Sequence, residues 1–150
     1  MQVTARDIAQ LIPHSGNMCL LAGVLEWDQH RIRCLGRAHG DPGNPLRVEG
    51  RLHATSAMEY AAQAMAAHGG LTGRAPGRPG AGYLVSLRDI TCLHLFLDDL
   101  DGDLTVEAER VLEEFGRALY RFTVRVGAVE AVTGRATVIL DPGAGGNQRA

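Results

Sequence analysis

The sequence predicts an α+β domain in which one antiparallel sheet of six strands is wrapped around one long central helix. Three observations lead to this fold class. One helical segment near the middle of the chain is apolar on almost every side, two strand-like segments precede it, and four follow it in succession. Short connections between successive strands favour an antiparallel meander, and a helix that is apolar all round must be covered by other elements.

Bulk properties are those of one globular domain. The chain has 150 residues, of which 45% are hydrophobic and 21% charged, so neither disorder nor a membrane protein is indicated. No apolar run reaches the roughly 20 residues that a membrane-spanning helix needs. Arg6 and Asp7 stand where a signal peptide would be apolar. We therefore expect a cytoplasmic protein without membrane insertion, with one domain over 1–141 and a flexible tail over 142–150.

The distribution of charge and of cysteine excludes several classes of partner. Net charge is −2, and the 15 basic residues are all arginines spread along the chain, so we do not expect nucleic-acid binding. Cys19, Cys34 and Cys92 are too far apart for a Cys-x-x-Cys metal site, and their odd number argues against a disulfide framework. We expect them to be small buried hydrophobic residues.

The elements before the central helix follow from local signals. Thr4 can cap a short helix over 5–11, with Asp7 as the carboxylate partner of the free amides. Apolar residues over 18–27 and alternating residues over 31–38 predict two strands. The glycine- and proline-rich stretch over 39–50 predicts a loop.

The central helix is predicted over 56–68. This segment is rich in alanine and methionine and contains neither glycine nor proline. Gly69-Gly70 follows it, and glycine adopts the left-handed conformation that ends many helices without steric cost. The sequence therefore predicts that the helix ends at His68, whose side chain would benefit from the negative pole there.

Four strands are predicted after the helix, over 83–97, 104–112, 119–126 and 132–140. Asp101-Gly102, Phe115-Gly116 and Gly127 are the turn signals between them. Such a sheet around one helix is the hotdog arrangement. It leaves a sheet edge and one side of the helix uncovered, so we expect a homodimer or a heterodimer with a paralogue.

Polar residues are rare on the central helix. Ser56, Glu59 and Gln63 are three and four positions apart and form one polar stripe. A carboxylate is costly to bury, so the stripe must face partners, water or a ligand. Two hypotheses remain open for Glu59: catalysis, or a capping box in which its carboxylate returns to the amide of Ser56.

Several segments together resemble one family. The helix segment Glu59-Tyr60-Ala61-Ala62-Gln63-Ala64 resembles the Glu-x-x-Ala-Gln helix start of the hotdog 3-hydroxyacyl-acyl-carrier-protein dehydratases. Three further segments resemble the same family in the same order: Ile12-Pro13-His14 with Met18-Cys19-Leu20-Leu21, His39 ahead of Pro42-Gly43 and Pro45, and Gly82-Tyr83-Leu84-Val85-Ser86 with Gly102-Asp103-Leu104. The resemblance is closest to the divergent dehydratase-like branch associated with aryl polyene biosynthesis.

This resemblance implies dehydration of a 3-hydroxyacyl thioester, with His39 as the base and Glu59 as the acid, supplied by different chains of a dimer. His53 is the alternative base, because Gly40-Asp41 follows His39 where the family has phenylalanine and the segment from His39 to Glu59 is longer. The expected substrate is an acyl thioester on the phosphopantetheine of acyl carrier protein, with no resident cofactor and no metal. Four further residues are expected to contact this substrate: Gly50, Leu52, Tyr60 and Gln63.

Two other functions remain open at this point. A hotdog thioesterase would use Glu59 as a general base on water and would not need His39. The second alternative is a non-catalytic acyl-binding or partner subunit of a dehydratase heterodimer.

Overall fold

A computed structural model describes residues 3–4, 7–8, 19–72 and 82–140 of the chain. Within these residues, one long helix packs against one antiparallel sheet of seven strands, in the order β1-β2-β3-β5-β6-β7-β4. The elements are β1 (Val3–Thr4), β2 (Leu21–Trp27), β3 (Arg31–Gly36), the central helix (Ala57–Leu71), β4 (Gly82–Cys92), β5 (Leu104–Glu114), β6 (Arg117–Val126) and β7 (Val129–Leu140).

The predicted fold class is confirmed, and the predicted strand number is wrong by one. The additional strand is β1, which pairs Val3 with Val24 and Thr4 with Gly23 at one edge of the sheet. Its two residues are too few to show the alternating pattern by which a strand is recognised in a sequence. Strands β4 and β7 are paired at the other end of the sheet, where β4 is the edge.

Thr4 also forms the predicted cap. Its hydroxyl lies 3.4 Å from the amide of Asp7, and the carboxylate of Asp7 accepts the amide of Thr4 at 3.1 Å. Asp7 and Ile8 are helical, and the rest of the helix predicted over 5–11 lies outside the described residues. So do the segment over 9–18, the glycine-rich stretch over 73–81 and the tail predicted over 142–150.

The central helix is enclosed by the sheet and contacts strands β2 to β7. Its inward side chains include Tyr60 and Met65, which are fully buried against the core face of the sheet. Burial of this kind, at roughly 25 cal/mol per Å² of apolar surface, is the main stabilising term for a helix whose sequence is apolar all round.

The predicted helix end at Gly69-Gly70 is wrong, because the helix continues to Leu71. Both glycines are buried. The carbonyl of His68 accepts the amide of Thr72 at 3.0 Å and the hydroxyl of Thr72 at 2.7 Å, which satisfies a carbonyl that the end of a helix leaves free. Glycine permits a left-handed end but does not require it.

The single strand predicted over 83–97 is also wrong in extent. β4 ends at Cys92, and although the amide of Leu93 still donates to Ala131 of β7 at 2.9 Å, Leu95 and Leu97 pair with the loop that precedes the helix. The amide of Ala54 donates to the carbonyl of Leu95 at 2.8 Å, and the amide of Leu97 donates to the carbonyl of Leu52 at 2.8 Å. A 3-10 turn, Leu97–Asp99, follows and lies beside the start of the helix.

The three cysteines are free thiols in different environments. Cys34 is buried on β3, and burial raises the pKa of its thiol to about 12. Cys19 is half-buried, whereas Cys92 at the end of the edge strand is exposed. The prediction that all three are buried is therefore wrong for Cys92.

Candidate active site

The start of the helix that carries Glu59 does not have the geometry of a capping box. Ser56 has helical backbone angles, φ −61 and ψ −21, and its side chain makes no capping hydrogen bond. Its amide donates to the carbonyl of His53 at 2.9 Å and so is not available to Glu59. The capping-box hypothesis is therefore wrong. A 3-10 turn over Ala54–Ser56 leads into the helix, and His53 caps that turn.

Glu59 lies in the first turn of the central helix and is exposed. Among the described residues, none forms a hydrogen bond or an ion pair with its carboxylate. Glu59 is thus anchored through its backbone while its carboxyl group stays available to a ligand.

His39 lies in the loop after β3, and its ring is held by one backbone contact. Nε2 lies 2.7 Å from the carbonyl oxygen of Leu100. A carbonyl only accepts, so Nε2 carries the hydrogen in the neutral ring and Nδ1 carries the lone pair. Nδ1 is buried and has no hydrogen-bond partner among the described residues. One basic nitrogen of the ring is therefore not used by the described residues, and a general base needs such a nitrogen.

The backbone of His39 is held as well. Its carbonyl accepts Nη1 of Arg47 at 2.9 Å, and a second nitrogen of Arg47 donates to the carbonyl of Gly50. Arg47 therefore links the loop that contains His39, here called the histidine loop, to the turn that precedes the helix.

The carbonyl of Leu100 is positioned by hydrogen bonds of Asp98, a residue that was not predicted from the sequence. Asp98 accepts the amide of Leu52 at 2.9 Å and Nε of Arg51 at 2.8 Å. Burial raises the pKa of Asp98, but these hydrogen bonds outweigh burial and the pKa lies below its usual value. The guanidinium of Arg51 also lies 3.9 Å from the ring centre of Phe96. Arg51 and Asp98 are 47 positions apart, so no local motif indicates the pair.

Two residues predicted to contact substrate, Tyr60 and Gln63, are buried beside Glu59 on the helix. The hydroxyl of Tyr60 donates to the carbonyl of Arg37 at 2.8 Å and accepts Nδ2 of Asn44 at 2.7 Å. Burial raises the pKa of this hydroxyl. Oε1 of Gln63 accepts the amide of Leu20 at 2.8 Å. Both side chains therefore fasten the histidine loop and the start of β2 to the helix.

The other two predicted contact residues lie on the approach to the helix. Leu52 is fully buried. Gly50 is exposed in the turn between Val48 and Arg51 and has a φ of 76°, which favours glycine. The contact of all four residues with an acyl chain stays a prediction.

His53, the alternative base, is exposed, and its side chain caps the 3-10 turn that leads into the helix. Its Nδ1 accepts the amide of Thr55 at 3.2 Å, and its ring packs edge-on against Phe96 with 5.5 Å between ring centres. The structure thus gives His53 a capping role, whereas Nδ1 of His39 has no such role.

His68 lies at the opposite end of the helix in a closed network. Its Nε2 donates to the carbonyl of Asp28 at 2.8 Å, and its Nδ1 accepts the hydroxyl of Tyr120 at 2.6 Å. Burial lowers the pKa of His68 to about 4, although the bond to Asp28 opposes the shift. The ring is neutral at pH 7, so the expected benefit from the negative helix pole, which requires a charged ring, is wrong.

Neither a metal site nor a membrane-spanning helix is found among the described residues. No group of three or more His, Cys, Asp or Glu residues in that part of the chain is placed to hold a metal ion. No helix there is long and apolar enough to cross a membrane. The predictions of no metal and no resident cofactor stay predictions.

The fold and this site define a class: a hotdog domain with an acidic residue at the start of its central helix and a histidine on the preceding loop. Over residues 6–144 the chain matches the model of the ApeP-like family, which is described as ApeP dehydratase. The chain belongs to this family. The predicted dehydratase branch and the predicted reaction, dehydration of a 3-hydroxyacyl thioester, are thereby confirmed.

Solved structures show the same fold. One is the dehydratase heterocomplex ApeI:P from Xenorhabdus doucetiae, which matches with a TM-score of 0.77 at 20% identity over 89% of this chain and 90% of that one. A sigma28-regulated virulence protein from Campylobacter jejuni matches with a TM-score of 0.62 at 13% identity, over 90% of this chain and 95% of that one. A mutant thioesterase from Pseudomonas aeruginosa matches with a TM-score of 0.57 at 12% identity, over 79% and 80%. A comparison with curated protein sequences finds no significant match.

Proposed function

We propose that this dehydratase accepts a 3-hydroxyacyl chain from acyl carrier protein and removes water with His39 as the base and Glu59 as the acid. One observation supports the assignment of His39: Nδ1 is buried and has no hydrogen-bond partner in the described part of the chain, while Nε2 is fixed on the carbonyl of Leu100. A buried nitrogen without a hydrogen-bond partner costs stability, and a proton-accepting role would account for it.

The reaction needs two proton transfers. Nδ1 of His39 takes the proton from the carbon beside the thioester carbonyl, and the electron pair of that C–H bond forms the new carbon–carbon double bond. The carboxylic acid of Glu59 gives its proton to the departing hydroxyl, which leaves as water. The products are the trans-2-enoyl thioester and water, and each positioned proton transfer is typically worth about 10² to 10⁴ in rate.

The carrier is proposed from the family resemblance alone. Acyl carrier protein and coenzyme A present the same phosphopantetheine thioester, so the chemistry above does not distinguish them. Rates measured with the same 3-hydroxyacyl group on both carriers make the distinction. We expect a higher kcat/KM with acyl carrier protein, and an equal or higher value with coenzyme A would contradict this part of the proposal.

We further propose that the active site is completed by a second hotdog chain. Two observations support this. Glu59 has no protein partner within the described residues, and the edge strand β4 is followed by the exposed side chains of Leu93 and Leu95. The solved heterocomplex that resembles this chain is itself an assembly of dehydratase chains. Light scattering of the chain alone and of the chain co-expressed with a hotdog paralogue tests the proposal, and a fully active monomer would contradict it.

The reaction is tested by product analysis. The assembled protein is incubated with 3-hydroxyacyl and with saturated acyl thioesters, and enoyl formation and thiol release are followed separately. We expect enoyl product with the thioester intact. Release of free thiol at a higher rate than enoyl formation would instead identify a thioesterase. The cytoplasmic location stays a prediction, which cell fractionation tests.

A further inference from the structure

The outer face of the sheet carries many arginines, and most of them are neutralised. Five of them lie within 4 Å of a carboxylate oxygen: Arg31, Arg33, Arg121, Arg125 and Arg135. Arg88 on β4 and Arg117 on β6 differ, because within the described residues neither forms a hydrogen bond or an ion pair. Both are exposed.

These two arginines line one groove. Its volume is about 610 Å³, and it lies where the β5–β6 hairpin meets β7 and β4. Leu112, Phe115 and Leu119 supply apolar lining, and Thr137 supplies a hydroxyl. Glu114 also lines the groove and is the cross-strand partner of Arg117, yet within the described residues it forms no ion pair with either arginine. The groove thus combines apolar lining residues with a net positive charge from two arginines and one glutamate.

Phe115 is the most exposed large apolar residue at this groove. It is 96% exposed at the tip of the hairpin, and Leu112 beside it is 52% exposed. The backbone of Phe115 has a φ of 55° and that of Gly116 a φ of 77°. Two-residue hairpin turns with two positive φ angles favour Asn-Gly, and a bulky residue is disfavoured at the first position. Neither core packing nor turn geometry therefore accounts for phenylalanine at this position.

We infer that this groove binds a segment of a partner protein that carries carboxylates beside apolar side chains. Aromatic and arginine side chains together are typical of the residues that dominate protein interfaces. Arg88 and Arg117 would pair with the carboxylates, and Phe115 and Leu112 would cover the apolar side chains. The groove uses none of the residues assigned to the active site, so the two proposals can fail separately.

Fluorescence anisotropy of labelled peptides on the assembled protein tests the inference. The first peptide is helical and built from leucine and glutamate. The second has lysine in place of every glutamate, and the third keeps glutamate but has glycine in place of every leucine. We expect binding of the first peptide only, weakened by added salt because the contacts include exposed charges.

Single substitutions then locate the binding site. Arg88→Gln, Arg117→Gln and Phe115→Asn should each raise the Kd of the leucine–glutamate peptide by about tenfold or more. Arg125→Gln, an arginine on the same face that already has carboxylate partners, should change it by less than about twofold. Phe115→Asn introduces the residue that the turn favours, so weaker binding cannot be attributed to a damaged hairpin. Dehydration of a small thioester should be unchanged in all four variants.

Several results would overturn the inference. Equal binding of the lysine peptide, or no binding of the leucine–glutamate peptide, would show that the groove does not select acidic apolar segments. Tighter binding of single-stranded DNA through Arg88 and Arg117 would identify a polyanion site. A change of oligomeric state in Phe115→Asn, seen by sedimentation, would make this surface a subunit interface.

Discussion

The imidazole of His39 is fixed by a contact with a residue 61 positions away. The contact partner is the backbone carbonyl of Leu100. Every residue has a backbone carbonyl, so the sequence does not show which one binds the ring. Through the family resemblance, the sequence indicated His39 and Glu59 as the catalytic residues, and these roles stay predictions. It did not indicate which ring nitrogen of His39 lacks a partner among the described residues. That depends on the carbonyl of Leu100, which comes from the segment after β4.

The same limit applies to the helix residues beside Glu59. Tyr60 and Gln63 were predicted as substrate contacts from their place in a family-like motif. In the structure their polar atoms bind the backbone of Arg37 and Leu20, which come from separate strands and loops. A sequence motif fixes the position of these residues on the helix, whereas their hydrogen-bond partners are set by tertiary packing.

Asp98→Ala should impair both stability and catalysis. It leaves the amide of Leu52 without its acceptor and frees the turn that holds the carbonyl of Leu100. We expect a loss of about 1–3 kcal/mol in the free energy of unfolding, from urea titration, and a lower kcat.

Asp99→Ala is the matched control for this change. Asp99 also pairs with Arg51, but its side chain is 63% exposed, so its removal should cost less than about 1 kcal/mol. Equal effects of the two substitutions would contradict the positioning role of Asp98.

At the scale of elements, the pattern of apolar residues located the central helix and all the longer strands but misplaced several ends. The helix passes through Gly69-Gly70 because His68 and Thr72 anchor its last turn, and local propensity does not include such anchors. β4 does not extend to residue 97 because Leu95 and Leu97 form backbone hydrogen bonds with the loop before the helix. Both errors have the same cause: contacts between residues that are far apart in the sequence decide where the helix and the strand end.

The anchor at the helix end predicts a pH dependence of stability. The pKa of His68 in the folded chain is about 4, whereas an unfolded histidine titrates near its ordinary value of 6.5. As pH falls, the unfolded chain takes up the proton first, so stability is complete above about pH 6.5 and decreases toward pH 4. The expected decrease from this group approaches 3 kcal/mol at most.

Urea unfolding at several pH values between 4 and 7 measures this dependence. Carboxylates also titrate in that range, so His68→Gln is the reference. The difference in unfolding free energy between the wild type and His68→Gln should shrink as pH falls. A constant difference would show that His68 is not buried as the neutral form.

On the scale of the whole molecule, composition and segment order were sufficient to predict the α+β class and an antiparallel sheet around one helix. The two-residue strand β1 could not be predicted because it shows no periodicity. The uncovered edge strand β4 is the feature from which a second chain was expected. Which chain binds there depends on surface complementarity, and the sequence of one partner does not contain that information.

The central claim is that His39 and Glu59 of this chain carry the dehydration. The most direct test is kcat/KM for enoyl formation from a 3-hydroxyacyl thioester, measured on the assembled protein with His39→Ala, Glu59→Gln, the double variant and His53→Ala. We expect losses of about 10² or more for both single variants, little further loss in the double variant, and less than about a threefold change for His53→Ala. Rates within about threefold of the wild type for both His39→Ala and Glu59→Gln would contradict the claim and assign catalysis to the partner chain.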